Sequence, residues 1–216
     1  MTDSKIYFLG AGPGDPELMT IRGRRLLEQA ETVIHAGSLV SPELLGFCPR
    51  AELVDSAPLC LDDIVKVMVT RAHAGKRVVR LHSGDPSFYG AIKEQIARLR
   101  LEGIEFEVVP GVSSLNAAAA ALSSELTVPG VSQTVIITRA AGRTPVPESE
   151  SIARLATHGA TMAIFLSAGL AAEVQQQLLE GYKPETPVAV VQNASRPSQR
   201  IIRTTVAKLA GDIELA

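Results

Sequence analysis

Apolar residues along this chain alternate between short unbroken runs and longer stretches in which they recur three and four positions apart. The first rhythm predicts buried strands and the second amphipathic helices. "KIYFLG" reads as a strand closing on glycine, and "PELMTIRGRRLLEQA" as the helix after it. Pro16 suits the first turn of that helix, where its missing N–H has no partner to lose. Leu18, Ile21, Leu26 and Leu27 fall close to one face. "TVIH" and "AELVD" predict two further strands. "LDDIVKVMVTRAHAG" is a helix with Asp62 and Asp63 at its positive end and Gly75 just past its finish. "RVVRLH" then predicts a strand, "SFYGAIKEQIARLR" its helix, "EFEVV" a strand and "SSLNAAAAALS" a helix. Repeated β–α units imply an α/β fold around a mostly parallel sheet buried beneath helices.

The pattern changes at "SSELTVPG", which predicts an N-terminal α/β domain over residues 1–117 and a smaller α/β domain over 118–216. In the second, "QTVIITR" and "TMAIFLS" read as strands. "AGLAAEVQQQLLE" reads as a helix, and "TPVAVVQNASRPSQRIIRT" as two strands joined by a polar turn. A further helix begins in "VAKLAGDIELA".

Composition removes several function classes. A net charge of -2 offers no general attraction to nucleic acid or anionic membrane, so an anionic partner would need a local arginine cluster. Trp is absent and aromatics are 4%, which disfavours stacked bases. Cys48 and Cys60 match no metal or redox spacing, and reduced thiols in a cytoplasmic setting are expected. No apolar run reaches a membrane span, and "MTDSKIYFLG" is unlike a signal peptide.

The candidate chemistry lies at strand ends. "FLGAGPGDPEL" resembles a dinucleotide fingerprint through Gly10 and Gly12, but its third position is Asp15, whose carboxylate would repel a pyrophosphate at a helix N-terminus. Gly12, Gly84 and Gly111 all follow predicted strands. In an open α/β sheet that rim is where ligands bind, and glycines let a ligand approach the main chain. Asp85 in "SGDP" can accept hydrogen bonds from a hydroxyl or ammonium group, while Pro86 stiffens the turn and is expected to start the helix. Such a rim favours a cation over a phosphate.

"GAGPGDPELMT", "LHSGDPSFYGA", "EVVPGVSS" and "TPVAVVQNASRPSQR", in this order and across essentially the whole chain, resemble the tetrapyrrole (corrin/porphyrin) methylases. "IHAGSLVSPELL", "ELTVPGVSQTVIITR" and "TMAIFLSA" are similar to the branch that methylates C11 of precorrin-4 or cobalt-precorrin-4 in cobalamin synthesis. Sisters that make precorrin-2 usually carry Asp where this chain has Gly37. The resemblance implies two α/β domains with S-adenosylmethionine in a cleft between them, and a homodimer. It also implies cofactor contacts at Pro13, Ser83, Gly84, Asp85, Phe88, Ser113, Ser114, Leu166 and Ala194. Members of the family continue with a further helix and strand, so a fragment or a naturally short version is expected.

The implied acceptor is an electron-rich ring carbon, so alignment with the methyl donor does much of the work and no protein nucleophile is needed. His35, His82, Asp15 and Glu125 remain equal candidates for a base. The implied tetrapyrrole carries several carboxylates, and arginine pairs these in a bidentate fork. Arg139, Arg143, Arg196 and Arg200 are the candidates, with residues 139–149 as a mobile cover. No metal site is expected in the protein. Two alternatives stay open. One is a methylase of this fold acting on another precorrin, RNA or protein, and the other is a nucleotide-binding protein using "GAGPGD".

Overall fold

The computed structural model describes residues 5–142 and 144–215, the side chain of Ser38 excepted. The chain divides into two compact units. The first takes the chain up to Ala117 together with Asn193–Pro197, and the second takes Ala118–Gln192 and the chain from Ser198.

In the first unit β1 (Ile6–Gly10), β2 (Thr32–His35), β3 (Glu52–Asp55), β4 (Val78–His82) and β5 (Phe106–Val109) form one sheet in the order β3-β2-β4-β1-β5. Every pairing is parallel, with Phe8 opposite Arg80 and Val108, and Ile34 also opposite Arg80. The helices are α1 (Ile21–Glu28), α2 (Pro42–Leu45), α3 (Leu61–His73), α4 (Ile92–Leu101) and α5 (Ser114–Ala121), the last carrying the chain into the second unit. Strand alternation splits the core in two. Tyr7, Leu9, Val33, Val79 and Leu81 pack with Leu27 of α1 and Leu44 of α2. Ile6, Phe8, Ile34 and Val78 pack with Met68 of α3 and Leu99 of α4. The chain therefore leaves the adjacent strands β1 and β4 toward opposite faces, which makes their carboxyl ends the switch point of the sheet.

The second unit holds β6 (Val135–Arg139) parallel to β7 (Thr161–Phe165), and an antiparallel hairpin of β8 (Pro187–Gln192) and β9 (Arg200–Thr205). Its helices are α6 (Ile152–Ala156), α7 (Ala171–Leu178) and α8 (Leu209–Glu214). Its core joins Ile152, Val174, Leu178, Val206 and Leu209 to Met162 and Ile164 of β7 and Val188 and Val190 of β8.

Two expected helices begin later than their apolar spacing suggests. The stretch after β1 is a 3-10 turn, Pro16–Leu18, and then α1. The Asp15 carboxylate accepts the Glu17 N–H at 2.8 Å, and the Thr20 hydroxyl accepts the Gly23 N–H at 3.0 Å. Two caps make two starts. The break turns Ile21 outward, 73% exposed, so it does not share the buried face of Leu27. After β4, Pro86 does not open a helix. Tyr89 and Ala91 stand at φ 57° and 48°, outside helical space, and α4 starts only at Ile92.

Arg80 and His82 of β4 lie on the same face as Phe8 and are buried. Arg80 Nη1 donates to the Ile34 carbonyl at 3.2 Å, and burial lowers its pKa to about 10. Burial, with the Arg80 charge behind it, lowers that of His82 to about 3. The unfolded chain takes up a proton here near pH ~6.5, whereas the fold refuses it until about 3. The resulting stability is complete above ~6.5 and is lost as pH falls toward the folded value, at up to ~1.4 kcal/mol per pH unit. Urea titrations from pH 7 to pH 4.5, followed by circular dichroism, should show His82→Leu losing markedly less stability than the parent. Parallel pH slopes would refute this.

Candidate active site

Three loops leave the carboxyl ends of β1, β4 and β5, and their main chains touch. Gly12 and Gly84 form a reciprocal bridge, with Gly84 N–H donating to the Gly12 carbonyl at 2.7 Å and Gly12 N–H to that of Gly84 at 3.2 Å. The Ala11 N–H donates to the His82 carbonyl at 2.7 Å. No side chain fits between these segments. A Cβ on Gly10 would lie 2.5 Å from Gly111 N, and one on Gly111 would lie 2.3 Å from the Gly84 carbonyl oxygen. Gly84, at φ 67°, faces Ser113 and Ser114. Gly10 is the member of this group that sequence reasoning missed, because a glycine ending a strand carries no signal of what will pack on it.

Asp85 closes the arrangement. One carboxylate oxygen accepts the Ser87 N–H at 2.7 Å, and the other accepts the Gly111 N–H at 2.9 Å. The carboxylate thus ties the loop after β4 to the loop after β5. Burial pushes its pKa up, but the Gly111 and Ser87 N–H groups outweigh that and hold it below the ordinary carboxylate value. It stays negative at the rim.

The other expected cofactor residues of the first unit stand on the same loops or beside them. Pro13 follows Gly12, and Ser83 precedes Gly84 on the exposed side. The Phe88 N–H returns to the Asp85 carbonyl at 3.2 Å while its ring is partly exposed. Ser113 is buried, and its hydroxyl accepts the Leu115 N–H at 3.2 Å, capping α5 at Ser114. Ala194 is buried within Asn193–Pro197, which belongs to this unit. Leu166 belongs to the second unit, just past β7. A left-handed leucine is strained, yet Leu166 has φ 55° and is 78% exposed.

The arginines fare differently from the expectation of free carboxylate grips. Arg139 Nη1 donates to the Ala140 and Thr144 carbonyls at 3.2 and 3.0 Å, and Nη2 to that of Pro145 at 3.0 Å. Its fork folds its own loop back. Arg196 belongs to the first unit and donates to the Leu39 carbonyl at 2.6 Å. Arg200 is exposed at the start of β9, and Arg143 lies outside the described residues. Among the candidate bases, His82 is too weakly basic to hold a proton near neutrality. Asp15 is spent as a cap, and the Glu125 carboxylate accepts the Thr127 hydroxyl at 3.2 Å. The His35 ring is buried, with Nδ1 unpaired. Among the described residues no cluster of His, Cys, Asp and Glu could hold a metal ion.

An open α/β sheet with a glycine main-chain rim at its switch point has the architecture of α/β proteins that bind ligands there. The family model of the tetrapyrrole (corrin/porphyrin) methylases matches residues 5–210, and the chain belongs to that family. It is 53% identical over 212 residues to a cobalt-precorrin-4 C(11)-methyltransferase of Methanocaldococcus jannaschii, covering 97% of this chain and 82% of that one. It is 48% identical over 208 residues to a precorrin-4 C(11)-methyltransferase of Pseudomonas aeruginosa, covering 96% and 82%. The X-ray structure of a cobalt precorrin-4 methyltransferase, a cobalamin biosynthetic enzyme, matches with a TM-score of 0.94 at 48% identity, over 98% of this chain and 90% of that one. Uroporphyrin-III C-methyl transferase from Thermus thermophilus, complexed with S-adenosylhomocysteine, matches at 0.82 and 30% identity, over 96% and 86%.

Gly37 has φ 37°, its N–H donates to Asp55 at 2.9 Å, and a Cβ would sit 3.3 Å from the same carboxylate. An aspartate here would be strained and would face a like charge.

Two measurements test the rim. Gly111→Ala should lower stability by about 1–3 kcal/mol through overpacking, while Gly142→Ala, which meets nothing within 4 Å, should not. Equal thermal melts would argue against main-chain contact. Asp85→Asn turns an amide N–H toward one of two N–H donors, a loss of about 1–3 kcal/mol at neutral pH. That penalty should shrink in acid as pH falls below ~3.9 and the parent carboxyl is itself protonated. A penalty independent of pH would assign Asp85 a purely steric role.

Proposed function

We propose that this chain methylates C11 of precorrin-4 or cobalt-precorrin-4, using S-adenosylmethionine, in cobalamin synthesis. The observation that carries the reading is the depth of the likeness. Identity reaches 53% along nearly the whole chain with a relative of that activity. With a uroporphyrinogen-III C-methyltransferase it is 36% over a similar span.

The rim fits the cofactor. Gly10 and Gly111 leave no room for a Cβ between the loops, and Gly84 carries none, so the rim offers a ligand main chain with few side chains in the way. Pro13, Ser83, Gly84, Asp85, Phe88, Ser113, Ser114 and Ala194 of the first unit would hold it, with Leu166 of the second. S-adenosylmethionine supplies an electrophilic methyl on a sulfonium. The chain's contribution is positional and electrostatic. Asp85, ionised by its two N–H partners, puts a negative charge beside a cationic ligand. His82, neutral behind the rim, adds no competing positive charge.

Of the expected arginine set, Arg139, Arg143 and Arg200 are assigned to substrate carboxylates, and Arg196, which donates to the Leu39 carbonyl, is set apart from them. Arg139 also donates to main-chain carbonyls of its own loop. A homodimer working in the cytoplasm follows from the resemblance. No helix among the described residues is long and apolar enough to cross a membrane, and the net charge of -2 suits a small-molecule partner better than nucleic acid.

Incubation with precorrin-4 and with cobalt-precorrin-4, each with carbon-13 methyl-labelled S-adenosylmethionine, tests the proposal. One new methyl at C11 in the product's mass and carbon NMR spectra is expected from at least one substrate. Methylation at another carbon, or transfer to RNA in its place, would overturn it.

A further inference from the structure

The turn between β8 and β9 belongs to the first unit, although the hairpin itself belongs to the second. Its attachments are specific. The Ser195 hydroxyl accepts the Asp15 N–H at 3.1 Å, and the Arg196 N–H donates to the Asn193 carbonyl at 3.0 Å, closing the turn. Arg196 Nη2 then donates to the Leu39 carbonyl at 2.6 Å. On the way its stem crosses Gly14, where a Cβ would lie 2.5 Å from Arg196 Cγ and 2.7 Å from Nε. Asn193 and Ser195 have φ 51° and 67°, a conformation that non-glycine residues seldom hold without surrounding constraint.

We propose that Arg196 is a positioning residue for the methyl-donor loop, and not a grip on substrate carboxylates. It spans from the turn to the 37–39 segment across Gly14. It thereby holds Pro13 and Ala194 in a single arrangement. The inference rests on the reading that these two residues meet S-adenosylmethionine. It explains the second glycine of "GPG": Gly12 serves the bridge to Gly84, whereas Gly14 leaves room for the arginine stem. It also explains the residue type, since a planar fork on a long stem holds its geometry where a lysine ammonium would not.

Calorimetric titration with S-adenosylhomocysteine, paired with steady-state kinetics, separates the possibilities. Failure of the parent protein to bind would sink the cofactor reading whatever Arg196 does. Given binding, Arg196→Ala should raise Kd about tenfold, the loss of one charge-assisted hydrogen bond, and leave the tetrapyrrole KM nearly unchanged. Arg196→Lys should behave like Arg196→Ala, because charge without the fork does not suffice. Gly14→Ala should also weaken binding, and adding Arg196→Ala to it should cost nothing more. Should Arg196→Ala not fold, Ser195→Ala removes the other attachment and should raise Kd in the same sense. An unchanged Kd, a rise confined to the tetrapyrrole KM, rescue by lysine, or losses that multiply in the double variant would each overturn the proposal.

Discussion

The first unit depends on the absence of side chains at one point. Gly10 ends β1, and Gly84 and Gly111 follow β4 and β5; at Gly10 and Gly111 the main chains approach within distances that no Cβ tolerates, while Gly84 is set by its left-handed φ of 67°. Parallel strands seldom stay together beyond their last ladder hydrogen bond, because the chain must turn away into a helix. Here pairing continues for one more step through the Gly12–Gly84 bridge. The loops are held together by backbone and by one carboxylate, so their N–H and carbonyl groups line the rim with little side chain in the way. The same feature that closes the packing therefore makes the surface suited to a ligand recognised through main chain.

Charge is distributed to match. Asp85 keeps its negative charge at the rim through two N–H donors, while the positive charge of Arg80 is withdrawn beneath the sheet and partnered by the Ile34 carbonyl. His82, between them on β4, stays neutral because burial and Arg80 both oppose its proton. Arg196, in the segment that joins this unit late in the chain, donates to the Leu39 carbonyl. Polar groups in this unit thus do mechanical work first, and the ligand meets what is left over.

Much of this was legible in the amino-acid order, for reasons that differ by element. The strands could be read because their neighbours bury both faces: β1 is apolar throughout, and β4, buried in every residue, is apolar apart from Arg80 and His82. Gly12, Gly84 and Gly111 could be read as rim glycines because each follows such a run, whereas Gly10, the last residue of its run, could not. Helix starts were not legible where side-chain caps outvoted apolar spacing, as at Asp15 and Thr20, or where residues such as Tyr89 and Ala91 were forced out of helical space. The arginines' hydrogen bonds were not legible, for a deeper reason. A guanidinium advertises affinity for carboxylates, yet Arg139 and Arg196 found carbonyl oxygens, and those partners exist only once the loops have folded.

The first unit is discontinuous in the chain, since Asn193–Pro197 arrives long after its other residues. During synthesis the five-stranded sheet can assemble early, with its rim still missing one side. That segment is added only once residues 193–197 have left the ribosome. A nascent chain thus completes its first unit only after most of the second has been made, and no cut between the halves would release a complete first unit.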